Sequence, residues 1–163
     1  MGSRVPKLQK TSRMDLASLK SRVSGNVPEN DLTELLKLGF GNVGNFSLKE
    51  QKLQFSLTDC RNSTGSYAFV VGQQVVYVGV TKNTLYARMN GYKNPGPSQE
   101  TNKRIKPRII QAGGVQTYFL SEDDIGKYKT VIQRDEIKKE VSTDLNTFER
   151  FLISLLRPSW NRG

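Results

Sequence analysis

Two apolar, β-rich runs, Tyr67 to Val71 and Val75 to Val78, stand on either side of Gly72-Gln73-Gln74. A glycine-containing turn between such runs predicts a β-hairpin. Thr81 to Gly91 then predicts a short helix: Asn83 or Thr84 is placed to cap it, Leu85, Ala87, Arg88 and Met89 favour it, and Gly91 can end it. This hairpin and helix display an unusual polar set, with tyrosines at 67 and 77, Arg88, and Tyr92 one helical turn beyond the arginine on the same face.

The rest of the chain supplies elements to pack around this unit. Residues 4 to 22 are strongly basic and read either as a solvated arm or as one that follows a phosphate backbone, and Thr11 or Ser12 can cap a helix there with Leu16, Leu19 and Val23 on one face. A better helix starts at Asn30, carries Leu32, Leu35 and Leu36, and stops at Gly39. Gly39 to Gly44 reads as a loop, and residues 46 to 57 as one or two strands bent near Lys49-Glu50. Beyond the loop Lys93 to Ser98, a helix from Thr101 to Gly113 turns Ile105, Ile109 and Ile110 inward, with Pro107 set to kink it. Val115 to Leu120 reads as a third strand, residues 121 to 140 as one or two exposed helices, and Asn146 to Arg157 as a last helix stopped by Pro158. The expected class is α+β, a small antiparallel three-stranded sheet flanked by helices. Residues 1–60 are a basic N-terminal helical and β extension, and residues 61–163 are the core.

Composition narrows the chemistry. A net charge of +10 over 163 residues points to an acidic polymer as partner. No apolar run approaches membrane-spanning length, there is no signal-peptide pattern, and Cys60 is the single cysteine, so a cytoplasmic protein is expected. With no histidine and one cysteine, the usual zinc sites and a histidine general base are excluded within one chain. Any proton acceptor must be Tyr, Glu, Asp or Lys.

Gly65-Ser66-Tyr67 and Tyr77-Val78-Gly79, ten residues apart, then Arg88, Tyr92, Glu149 and Asn161 in order, resemble the signature of the GIY-YIG nuclease superfamily over about residues 65 to 161. The resemblance implies a GIY-YIG-like core that hydrolyses phosphodiester bonds. It assigns Tyr67 as general base, Tyr77 and Tyr92 as groups orienting water and phosphate, Arg88 as phosphate ligand, and Glu149 as holder of one Mg²⁺ that Mn²⁺ can replace. Asn161 and Lys82 are supporting residues. Members of the repair and homing types commonly carry a lysine three residues after the second tyrosine. Here that position is Val80, Lys82 lies two further on, and the arginine falls one residue later than in the repair type. Residue chemistry is compatible with these roles: an arginine fork suits phosphate, and one carboxylate can anchor a hard cation. An ordinary tyrosine titrates near pH ~10, so a basic Tyr67 needs a neighbour to lower it. Glu149 has a second reading as the closing member of a capping box on Asn146.

Lys93, Lys103, Arg104, Lys106 and Arg108, together with Arg13 and Lys20, are the expected contacts to DNA phosphates. Glu136-Ile137-Lys138 has the Glu-x-Lys form of another nuclease fold, but its segment is too charged and helix-like for a buried strand. With a short basic extension and a long insertion between Arg88 and Glu149, the chain most resembles the small type II restriction endonucleases of that superfamily, which implies action on double-stranded DNA by a bacterial or phage-encoded protein. The alternatives are a structure- or single-strand-specific nuclease and a non-catalytic DNA-binding module. One site cuts one strand, so a homodimer is expected at least on DNA. Leu16, Leu19, Leu35, Leu36 and Phe40 are apolar residues in excess of the core's needs, and residues 4 to 45 are expected to serve dimerisation or grip.

Overall fold

The computed structural model describes residues 7–10 and 30–161. Arg13, Lys20 and the expected helix bearing Leu16, Leu19 and Val23 fall outside the described residues. Asn30 caps α1 (Asp31–Lys37), its side chain accepting from the Thr33 N–H at 2.8 Å. The expected loop through Gly44 is shorter, because strand β2 already begins at Gly41. β2 (Gly41–Lys49) and β3 (Lys52–Leu57) form a hairpin whose turn residues, Glu50 and Gln51, both have positive φ.

The opening hairpin is β4 (Gly65–Val71) and β5 (Gln74–Thr81). Thr84, not Asn83, caps α2 (Leu85–Lys93), and Gly91 lies inside that helix rather than ending it. α3 (Glu100–Gln111) accommodates Pro107 on its exposed side, and β6 (Val115–Ser121) follows.

Residues 121 to 140 depart from the helical expectation. A short α4 (Glu122–Gly126) leads into a second hairpin, β7 (Tyr128–Arg134) and β8 (Ile137–Ser142). Glu136-Ile137-Lys138 therefore lies at a turn and the start of a strand, and all three residues are exposed. β7 also pairs with β1 (Lys7–Lys10), giving a small three-stranded sheet. The chain closes with α5 (Leu145–Leu156) and a 3-10 turn at Ser159–Asn161.

The main sheet has five antiparallel strands in the order β3-β2-β6-β4-β5, two more than expected. The extra two come from residues 41–57, and β2 hydrogen-bonds directly to β6. Helices cover both faces. On one side Leu35, Phe40, Ala68, Val78, Phe148 and Leu152 join α1 and α5 to the sheet. On the other, Phe46, Phe69, Leu85, Met89, Ile105 and Ile109 join α2 and α3 to it. Leu35 and Phe40, expected as surplus, are thus core residues; Phe40 stacks on Phe148 at 6.2 Å.

The β4–β5 register slips between Phe69 and Val70, leaving Val76 as an extra residue in β5. Side chains alternate along a strand, so one added residue reverses every side chain beyond it. Val75 faces α1 and α5, whereas Val76 and Tyr77 both face α2 and α3. The bulge therefore puts Tyr77 on the same face as Tyr67. Among the described residues β5 is an edge of the sheet.

Candidate active site at the edge of the sheet

Tyr67 on β4 and Tyr92 on α2 point at each other from strand and helix, with their phenol oxygens 2.6 Å apart. Arg88, one turn before Tyr92, donates from Nε to the Tyr67 oxygen at 2.8 Å and from Nη2 to the Tyr92 oxygen at 3.0 Å. The guanidinium also lies over the Tyr92 ring, 4.7 Å from its centre. Edge-on packing of Tyr92 against Phe69 (5.4 Å) and Phe46 (6.4 Å) fixes α2 on the sheet. Such pairs contribute about 0.5–1.5 kcal/mol each beyond burial. Tyr77 completes the aromatic wall, its ring 6.3 Å from those of Tyr67 and Tyr92.

The signature glycines follow from this packing. A Cβ on Gly79 would sit 2.5 Å from the Tyr67 oxygen, and a Cβ on Gly65 would sit 2.3 Å from the Leu120 carbonyl oxygen. Both positions need the missing side chain because another group occupies its place. The Ser66 hydroxyl donates to the Gly79 carbonyl at 3.0 Å, which fastens the two signature segments together.

Burial is the largest influence on Tyr67 and raises its pKa; neighbouring Tyr77 adds to this, and Arg88 with the hydrogen bonds opposes it without prevailing. Tyr92 is raised in the same way, by burial first and then by Tyr67 and Tyr77. Burial also works against the Arg88 charge, but Tyr67, Tyr92 and Tyr77 outweigh it and keep the guanidinium protonated. The resting arrangement is two neutral phenols gripping one cation. Arg88 is adjacent to Tyr67 as a basic role requires, yet it does not bring that phenol down in this state.

Glu149 comes from the other layer. Asp144, not Asn146, caps α5, its carboxylate accepting from the Thr147 N–H at 2.7 Å. Glu149 is then beyond the first turn and forms no capping box. It is half-buried; desolvation pushes its pKa up, while Arg88, Arg150 and Lys82 pull it down. Glu149 thus lies within the electrostatic reach of Arg88 and Lys82.

A cleft of about 600 Å³ opens beside the arginine, lined by Lys82, Asn83, Arg88, Gln99 and Asn102 among others. Gln99 and Asn102 were not foreseen; a glutamine and an asparagine beside a Pro-Gly loop give no signal in sequence.

Asn161 is fastened to the edge strand. Its side-chain amide pairs with the Val78 backbone, accepting from the N–H and donating to the carbonyl at 2.9 Å each, rather than reaching Gly65-Ser66-Tyr67. Of the expected phosphate contacts, Arg104 donates to the Trp160 carbonyl at 2.6 Å, and Lys103 donates to the Pro97 carbonyl and pairs with Glu100 at 3.3 Å. Lys93 ends α2; Lys106 is half-buried on α3 and Arg108 is exposed there. Among the described residues no helix is long and apolar enough to cross a membrane.

No family model matches this sequence, and no curated protein does either. Among solved structures, a mutant of bacteriophage T4 EndoII is similar at TM-score 0.54 and 16% identity, over 80% of this chain and 98% of that one. The chain has the fold of T4 EndoII. The restriction endonuclease HPY188I in complex with product DNA gives TM-score 0.48 and 13% identity over 82% of this chain and 80% of its own.

Proposed function

We propose that this chain is a metal-dependent endonuclease of the GIY-YIG type that cuts double-stranded DNA at defined sites, as type II restriction enzymes do. One observation carries the reading. A protonated arginine is held by two buried phenols at the mouth of a cleft, with a half-buried glutamate from a different layer in its field. The ordered signature in the sequence and the fold shared with T4 EndoII support it.

Arg88 has five N–H donors, and the phenols take two of them, so three remain for a phosphate. Those donors stabilise negative charge as it grows on the phosphorus-bound oxygens. Lys82 adds a second cation at the cleft. Tyr67 and Tyr92 hold the guanidinium in aim and shed water from its back. Tyr67 can act as a base only after its own proton has left, and in the resting state that proton is held.

The residues present fit a single hard cation. Glu149, half-buried and partly desolvated, offers one carboxylate that would hold Mg²⁺ or Mn²⁺ with water and phosphate oxygens completing the shell. The ion would supply further charge neutralisation at the phosphate. A symmetric dimer on DNA would bring two such sites to the two strands. Residues 4 to 45 would contribute to it, and exposed Leu36 is available in that segment.

The test is digestion of a fully sequenced plasmid with and without EDTA, alongside Glu149→Gln. Discrete fragments with Mg²⁺ are expected, with no cleavage in EDTA or by the variant, which still binds duplex. Full cutting in EDTA or by Glu149→Gln refutes the metal site. Random fragments refute site specificity and favour a structure- or strand-specific nuclease.

A further inference from the structure

The β7–β8 hairpin has a buried root and an open tip. At its root the Thr130 and Thr143 hydroxyls meet at 2.7 Å, and the Tyr128 hydroxyl donates to the Leu38 carbonyl at 2.7 Å. The Tyr128 ring packs 5.8 Å from Phe148, the residue before Glu149. The hairpin's direction is therefore fixed with respect to the glutamate. Among the described residues β1 pairs with β7 as far as Val131, and every residue from 132 to 140 is exposed.

The register sorts the tip by face. Ile132 opposes Lys139 and Arg134 opposes Ile137, so these four share one face. That face holds two cations, no acid, and two of the protein's exposed large apolar residues: Ile137 is 73% exposed and Ile132 49%. Gln133 and Lys138 oppose each other on the second face, and Asp135 (φ 56) with Glu136 makes the turn. Among the described residues, Arg134, Lys138 and Lys139 have no ion pair.

We propose that the tip of this ribbon, residues 132 to 139, enters the major groove of duplex DNA and reads base edges there. This rests on the nuclease reading above and adds where specificity resides. Three paired residues and a two-residue turn extend roughly 13 Å at ~3.3 Å per residue. A major groove ~12 Å wide and ~8.5 Å deep admits a two-stranded ribbon. The side chains match what the groove offers: Arg134 for guanine O6 and N7, Gln133 for adenine, Ile132 and Ile137 for thymine methyls, and lysines for the flanking phosphates. A second copy of the chain is the weaker occupant, because two cation-only faces would repel.

The experiment uses the Glu149→Gln chain on duplexes carrying the sites recovered from the plasmid digest, probed with dimethyl sulfate, which reports guanine N7 in the major groove. Protection of guanine N7 is expected. The Arg134→Ala/Lys139→Ala pair should lose that protection and reduce preference for the site over unrelated duplex by roughly tenfold or more. In the otherwise native chain, the same pair should still nick DNA with Mg²⁺, and its melting temperature should be unchanged because both residues are exposed. Retained N7 protection and site preference in the pair overturns the ribbon assignment and leaves the nuclease reading standing. So does sedimentation showing that Ile137→Glu breaks a dimer without touching N7 protection. A native chain that neither binds nor nicks duplex removes both.

Discussion

Gly79→Ala tests whether the phenol–arginine arrangement is as tight as its distances imply. The added methyl would stand 2.5 Å from the Tyr67 oxygen and 2.6 Å from the ring carbon bearing it. Ordinary contact begins at 3.4 Å, so the ring tip has to withdraw by about 0.9 Å. Tyr67 is fully buried, and its oxygen is already 2.6 Å from that of Tyr92 and 2.8 Å from Arg88 Nε. Closer approach to Tyr92 is impossible, so the ring tilts and at least one of the two bonds breaks. Overpacking of this kind costs about 1–3 kcal/mol, and a lost hydrogen bond about 0.5–1.5 kcal/mol more. For a domain of this size that lowers the melting temperature by roughly 3–18 °C. Gly41→Ala is the control, since a Cβ there meets nothing within 4 Å. Thermal unfolding followed by circular dichroism, paired with plasmid nicking, reads both consequences. A Gly79→Ala chain that melts with wild type and nicks at the wild-type rate would show that the Tyr67 ring is not confined as described, and the positioning argument would fail.

Three further outcomes follow from the same geometry. Arg88→Lys removes the fork that reaches both phenols and that the proposed mechanism aims at a phosphate, and should lower the nicking rate by about 10²–10³ with melting shifted far less; activity within a few-fold of wild type rules out the guanidinium's proposed role. Asp144→Ala removes the α5 cap and should cost about 1 kcal/mol in urea unfolding at pH 7. The Thr147 N–H, the leading cause, lowers the folded Asp144 pKa, so the carboxylate's contribution is full above ~pH 4, where the unfolded aspartate is ionised, and fades as pH falls through the folded value. A gap between variant and wild type that widens in acid contradicts the cap. Asn161→Ala strips both hydrogen bonds from Val78 and should reduce nicking and speed amide exchange at Val78; unchanged exchange there refutes the clamp.

What could be read in the sequence was what an apolar pattern or a strong turn writes locally. The β4–β5 runs, the α3 isoleucines and the α5 stripe are dictated by neighbours along the chain, and they appear where expected. The bulge at Val76 was hidden, because it arises from pairing with a strand several residues away. β7 and β8 were misread as helix because Lys, Glu and Arg dominate their exposed tip. The β-branched core of β7, Thr130-Val131-Ile132, was the available signal, with Asp135 as the turn. Asn146 suits the capping role as well as Asp144 does, and only the start of α5 decides between them. At the site, order along the chain suggested which side chains meet. The protonation state did not follow from order, because burial of Tyr67 outweighs the arginine it touches.

The position of β5 at the sheet edge accounts for how these side chains come together. An interior strand has both of its backbone edges taken by neighbouring strands, and each face covered by one helical layer. Among the described residues β5 pairs with β4 alone, and Asn161 takes its other edge at Val78. That residue lies between Tyr77 and Gly79, the two positions that shape the space around the Tyr67 ring. Arg104 on α3 holds the Trp160 carbonyl, so the same clamp is tied to the helix that walls the cleft. Glu149 from one layer is within the electrostatic reach of Arg88 from the other. A carboxylate and a guanidinium on opposite faces of an interior strand would be screened by the sheet. An edge strand leaves both in one electrostatic field, and the backbone hydrogen bonds that Asn161 supplies keep that edge from serving as a template for another strand.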